Sequence, residues 1–135
     1  WLSAPPMAAA LATLDELEAD DHSALRHLQA MGRMLRSGLE RQAAARGIDV
    51  LVSGPDAMPF LTFDADEDAP SVRPIGRAWC AVAADGDPGG AWLHPHHNWY
   101  LTAAHTASDI EATLAATAAA FDACLPLIDV ATERR

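Results

Sequence analysis

The chain has 135 residues, enough for one domain with its own hydrophobic core, and a formal net charge of −10. Half of the residues are hydrophobic and 21% are charged, which is a globular rather than a disordered composition. The acidic balance excludes a nucleic-acid or anionic-membrane surface, since both require a basic stripe.

All nine basic residues are arginine, and the chain contains no lysine. A Schiff base to a carbonyl substrate or to pyridoxal phosphate therefore cannot form on this polypeptide. Cys80 and Cys124 lie 44 positions apart without a CxxC spacing, and so read as buried reduced thiols rather than a disulfide or zinc pair. The longer apolar runs are broken by charge, Pro or Thr, and no segment is expected to span a membrane. The start at Trp1, with neither Met nor a basic leader, is expected of a cytoplasmic protein or of a segment of a longer one.

Pro5-Pro6 open a helix in which Met7, Leu11, Leu14 and Leu17 share a face. Asp20-Asp21 supply an N-cap for a second helix carrying Leu25, Leu28, Met31, Leu35 and Leu39. Gly38 weakens it by up to ~1 kcal/mol, and Gly47 is its left-handed C-cap. The period then changes. Ile48, Val50 and Val52 alternate, Ser53–Asp56 form a turn, and Met58–Phe63 make a second strand, whose Pro59 favours an edge or a bulge.

Residues 64–74 form an acidic loop, Ile75–Ala84 a short helix, and DGDPGG (85–90) its stop. Trp92-Leu93 and Trp99–Ala104 read as strand pieces flanking HPHHN (94–98). Ser108 and Glu111 fit a capping box for a last helix with Ile110, Leu114, Thr117, Phe121 and Cys124 on one face. That helix is expected to end near Pro126, ahead of a frayed tail. The order α-α-β-β-α-β-β-α predicts an α+β two-layer sandwich, a small antiparallel sheet covered by helices.

Candidate chemistry concentrates in His94-Pro95-His96-His97-Asn98. Alternation in an extended segment places His94 and His96 on one face, a geometry for two metal ligands. With His97 these make the residues of a metal-dependent hydrolase, but Cys80, His105 and Asp109 lack the spacing to complete a zinc set. Polar residues that cap strand ends are the plainer reading. Ser53 and Ser71 lie in turns without a G-x-S-x-G context. The carboxylates of 64–68 and Asp85/Asp87 occupy loops and read as solvated surface. Gly89-Gly90 precede a strand and so do not cradle a phosphate. A Cys80 pairing with His94 or His105 has no supporting spacing. The sequence assigns no catalytic, metal or cofactor-binding residue to this chain by itself.

Four segments in order, MAAALATLDELE (7–18), GPDAMPFLTF (54–63), WLHPHHNWYLTAAHT (92–106) and SDIEATLAATAAAF (108–121), resemble one family. They are similar to the C-terminal part of class III pyridoxal-phosphate-dependent aminotransferases, near the glutamate-1-semialdehyde aminomutases. The resemblance implies the small α+β C-terminal domain of a fold-type-I enzyme. Residues 1–20 would be the helix leading out of a large cofactor domain, and 21–135 the small domain itself. It implies pyridoxal phosphate as the cofactor of the whole enzyme and the large domain as partner. It also implies a homodimer and a small amino or keto acid as substrate.

The family's Schiff-base lysine and the acidic partner of the pyridine nitrogen belong to the large domain, in keeping with a chain without lysine. Family members place a Thr before an SGNP-like segment to bind the partner subunit's cofactor phosphate. Here WLSAPPM (1–7) puts Trp1 there, without Gly-Asn. The loop DGDPGGA (85–91) is longer and more acidic than the family's short basic connection. By the resemblance, His97 and Asn98 would face the substrate cleft and hydrogen-bond a carboxylate or carbonyl, with Trp99 packed behind them. The alternative is a free-standing remnant serving as a binding or interaction module.

Overall fold

A computed structural model describes residues 3–66, 72–86 and 89–134. Trp1, Ser71 and parts of the 64–74 and 85–91 loops, on which expectations were placed, lie outside the described residues. Five elements follow in order: α1 (Ala4–Ala44), β1 (Val50–Ser53), β2 (Phe60–Phe63), α2 (Pro74–Ala84) and α3 (Ala107–Glu133).

The two expected N-terminal helices are the halves of α1, separated by a break at Ala19–His22. Asp20, Asp21 and His22 all have positive φ, a left-handed run that costs roughly 1–2 kcal/mol per residue outside glycine. Asp21 therefore does not cap the second half as expected. Its carboxylate instead meets Arg26 Nη1 at 2.9 Å, and the same guanidinium donates to the Asp21 carbonyl. The first half stands clear of the core. Met7, Leu11 and Leu14 are 50%, 60% and 55% exposed, although they form the apolar face expected from the sequence.

The second half enters the core through Leu35, Leu39 and Ala43. It ends as expected at Gly47, where the Ile48 N–H reaches the Ala43 carbonyl and the Gly47 N–H that of Ala44. With Gly47 at φ 67°, this is a Schellman closure. Gln42 and Arg46 then clasp α3. Gln42 Nε2 donates to the Leu114 carbonyl (2.7 Å) and Thr117 Oγ1 donates to Gln42 Oε1 (3.0 Å). Arg46 grips Asp122 with two prongs of 2.6 and 2.8 Å.

β1 and β2 pair antiparallel, with Val50 opposite Phe63 and Ser53 opposite Phe60. Arg36 of α1 seals the turn between them, donating to the carbonyls of Val52 and Gly54. Arg33 adds an ion pair to Asp56 at 3.2 Å. Gly32 lets the helix approach that closely: a Cβ there would lie 1.7 Å from the Asp56 carbonyl oxygen.

The four-stranded sheet is corrected to two strands among the described residues. Residues 92–93 and 99–104 are not strands. Trp99 N–H donates to the Pro59 carbonyl and Leu101 N–H to that of Ala57, so this segment runs antiparallel to 57–59. Pro59 has no N–H to return, which leaves the pairing one-sided and short of a ladder. β2 starts one residue after Pro59 for the same reason. The α+β class holds, and the expected element order does not.

α2 lacks a local side-chain cap. Its free N–H groups are met from a distance by the buried Asp66, whose carboxylate accepts from Ile75 (3.1 Å) and Gly76 (2.9 Å). α3 begins at Thr106 rather than Ser108. Thr106 and Asp109 cap each other's backbone N–H groups in a capping box one turn ahead of the expected one. α3 also continues through Pro126 to Glu133 instead of ending there. Its length and composition now suffice to cross a bilayer, contrary to the sequence expectation, but Ile110, Thr117, Phe121, Cys124 and Ile128 are buried in the core.

Candidate functional site

Trp79 of α2, Phe63 of β2, Phe121 of α3 and Trp99 form the aromatic centre of the core. Trp79 lies 5.3 Å from Phe121, 6.0 Å from Phe63 and 6.0 Å from Trp99, stacked with the last at 23°. Trp99 is thereby the foundation of the loop before it. Its indole Nε1–H donates to the His94 carbonyl at 2.9 Å, and its ring meets Phe60 edge-on at 6.2 Å.

On this foundation His94–Asn98 makes a tight bend rather than an extended strand. His94 therefore does not pair with His96 as strand alternation predicted. Its ring stacks on His97 at 3.9 Å and 13°, and His96 stands edge-on at 5.8 Å. The His96 N–H donates to His94 Nδ1 (3.2 Å), while His97 Nδ1–H donates to the Asn98 carbonyl (2.8 Å). The lone pair of His97 is left on Nε2. Partial loss of hydration, then the charges of His97 and His96, hold the His94 imidazole below its ordinary range.

Beside the bend opens a cleft of about 600 Å³, whose walls include Trp92, His97, Asn98, Tyr100, His105 and Thr113. That volume lies within the range of small-molecule sites. The three expected cleft residues divide by depth. His97 is exposed, Asn98 half-buried and Trp99 buried behind them. The far wall is the start of α3. There His105 Nδ1 accepts from the Thr102 N–H (3.0 Å), and its carbonyl receives His27 Nε2–H (2.7 Å). Hydrogen bonds from the Thr106 backbone and hydroxyl hold Asp109 below the usual carboxylate range.

Trp92 and Tyr100 were not singled out from the sequence, although they bracket the HPHHN motif. Their exposures, 91% and 64%, are what set them apart. A second concavity of about 510 Å³ lies along the hairpin edge with Arg73 on its wall and shares no residue with the histidine cleft.

Among the described residues no group of three or more His, Cys, Asp or Glu side chains could hold a metal ion. Cys80 and Cys124 are both buried and unpaired. Desolvation, followed by the charge of Cys124, pushes the Cys80 thiol up to about 12. At neutral pH it is no nucleophile. Pyridoxal phosphate needs a lysine for covalent attachment, and the sequence has none. The chain's residues therefore do not fit covalent retention of that cofactor.

No family model matches the chain. It is 43% identical over 125 residues to an aminopentol aminotransferase of Sphingopyxis macrogoltabida, covering 93% of this chain and 28% of that protein. It is 32% identical over 119 residues to a glutamate-1-semialdehyde 2,1-aminomutase of Desulfatibacillum aliphaticivorans, covering 82% of this chain and 27% of that one. The structure of the FumI protein of Sphingopyxis sp. MTA144, in its PLP internal aldimine form, superposes with a TM-score of 0.77 at 43% identity. That match covers 93% of this chain and 28% of the other. The chain thus spans little more than a quarter of the length of the relatives it matches.

Proposed function

We propose a role for this chain from one premise: it belongs with the class III pyridoxal-phosphate-dependent aminotransferases and corresponds to about 28% of such an enzyme. The role is that of the small domain, which shapes the substrate side of a cleft while a separate large domain supplies the lysine and the cofactor. The observation that carries it is the His94–Asn98 bend, fixed through Trp99 to the core and opening beside a 600 Å³ cleft in a chain without lysine. In this reading His97 and Asn98 contact substrate and Trp99 positions them.

The reaction proposed is amino-group transfer or migration on a small amino or keto compound. The large domain is the partner, and the assembled enzyme is a homodimer. The cytoplasm is the compartment proposed, since two unpaired thiols suit a reducing environment.

The test mixes this chain with the lysine-bearing remainder of the aminopentol aminotransferase lacking the matching segment. Neither part alone is expected to transfer an amino group, and the mixture is. Activity of this chain alone with pyridoxal phosphate, or an inert mixture of well-folded parts, sinks the proposal.

A second reading, an interaction module, is favoured by the bare face of Met7, Leu11 and Leu14, since a contiguous exposed apolar face is a docking feature. In the first reading the large domain covers that face. In the second, a different protein does. Crosslinking from Met7 replaced by a photoreactive analogue separates them by which polypeptide is captured.

A further inference from the structure

The cleft beside His94–Asn98 has a charge character that none of the matched names conveys. Its described lining residues include no arginine, and its one carboxylate, Asp109, is held ionised by Thr106. The same deficit is written in the sequence. No arginine or lysine stands between Arg77 and Arg134, a span that carries seven Asp and Glu residues. The histidines do not make up the difference, because near neutral pH imidazole is mainly uncharged. His97 Nδ1 and His105 Nδ1 are engaged with backbone groups of the loop itself.

A site that recognises a carboxylate supplies a guanidinium or ammonium, because an ionised oxygen needs charge-assisted donors when it leaves water. This wall supplies aromatic and aliphatic surface instead. Trp92 stands almost wholly in solvent, Tyr100 is mostly exposed, and Leu93 and Leu101 lie between them and the core. Exposed aromatic faces attract organic cations and apolar chains.

From this geometry we infer that the cleft holds the carboxylate-free part of an amine substrate, an apolar or hydroxylated chain laid against Trp92 and Tyr100. The inference rests on the aminotransferase reading and narrows its substrate class from amino acids toward amines without a carboxylate. His97 Nε2, with its lone pair free of the loop, accepts from a hydroxyl or ammonium on that chain. The net charge of −10 adds long-range attraction for a cation and repulsion for an anion.

The test uses the chain itself, without cofactor, so it is independent of turnover. Hexylamine and hexanoate share a tail and differ in head-group charge. Each is titrated at low ionic strength while the Trp92 indole N–H and the His97 ring are followed by NMR. Hexylamine is expected to move both signals, with hexanoate weaker by roughly tenfold or more. Trp92→Ala, at an exposed position that leaves the fold intact by circular dichroism, should weaken hexylamine binding about fivefold. Thr113→Arg puts a guanidinium on the wall and should reverse the preference toward hexanoate. Equal or tighter binding of hexanoate by the unaltered chain overturns the inference, as does absence of any hexylamine shift at Trp92. Hexylamine preference together with an inert reconstituted enzyme would sink the aminotransferase reading and leave the cleft's ligand class standing.

Discussion

Trp99 stacks on Trp79 with centroids 6.0 Å apart and planes 23° from parallel, while its indole N–H holds the His94 carbonyl at 2.9 Å. One side chain thereby couples the histidine bend to the centre of the core. Trp99→Ala should cost about 3–5 kcal/mol, the usual range for truncating a buried aromatic. Trp92→Ala, at a solvated position, should stay within about 0.5 kcal/mol. Urea unfolding of both variants checks the contrast. Equal losses would mean that Trp99 is not the anchor described here.

Gly32 and Gly38 sit in the same helix, and the sequence treats both as mild helix weakeners. A Cβ at Gly32 would meet the backbone oxygen of Asp56 at 1.7 Å, whereas one at Gly38 would meet the side chain of Leu114 at 2.4 Å. Backbone in a tight turn cannot retreat, but a leucine can change rotamer. Gly32→Ala should therefore destabilise by about 2 kcal/mol or more despite alanine's helix preference of up to ~1 kcal/mol. Gly38→Ala should cost distinctly less. Thermal denaturation of the pair gives the ranking.

Cys80 and Cys124 should both resist a thiol reagent in the folded protein and react promptly in urea. Burial removes access, and for Cys80 the pKa near 12 removes the thiolate as well. Iodoacetamide labelling followed by mass spectrometry reads this directly, and fast native labelling of Cys80 would contradict the packing.

The ion pair of Arg46 with Asp122 gives a pH dependence of known sign. The hydrogen bond from Arg46 is the largest cause holding the Asp122 carboxyl below its ordinary value. A depressed carboxylate pKa contributes stability that is present above the unfolded value, near 4, and is lost as pH falls through the folded one. The melting temperature of the unaltered protein should exceed that of Asp122→Asn at pH 6, and the two should converge toward pH 2. A constant difference across that window would show that the pair contributes no linkage.

His94 behaves in the same direction. Its folded pKa is lowered, so the stack on His97 contributes above about pH 6.5 and is lost as pH falls through the lower folded value. Proton NMR of the ring should place its midpoint below that of free histidine. His97→Ala should move the midpoint back up, because it removes both a neighbouring ring and a neighbouring charge.

Much of the fold was legible because it rests on short-range physics. The stripe of Leu35 and Leu39, the Gly47 closure, the hairpin turn at Ser53–Asp56 and the buried face of Ile110, Thr117 and Phe121 are all periodicities or turn chemistries contained within a few residues. The helix start moved from Ser108 to Thr106 because both positions present a hydroxyl three residues before an acid. The turn at Thr102–His105 selected the earlier one. Pro126 stayed inside α3 because only one helix hydrogen bond is lost there, about 3 kcal/mol, while the helix beyond it buries Ile128.

By itself, the sequence determined that no lysine chemistry occurs on this chain, which family it resembles, and that HPHHN is its richest cluster. Only the tertiary structure decided what that cluster is. Trp99 and Leu101 have strand-forming side chains, but their partner at residue 59 is a proline with no N–H to give. The pairing stopped at two bonds, and the segment before it bent. His94 then turned onto His97 instead of His96, and Trp92 was left in solvent at the mouth of a cleft. Those outcomes depend on which distant residue lies alongside, and no local pattern encodes that.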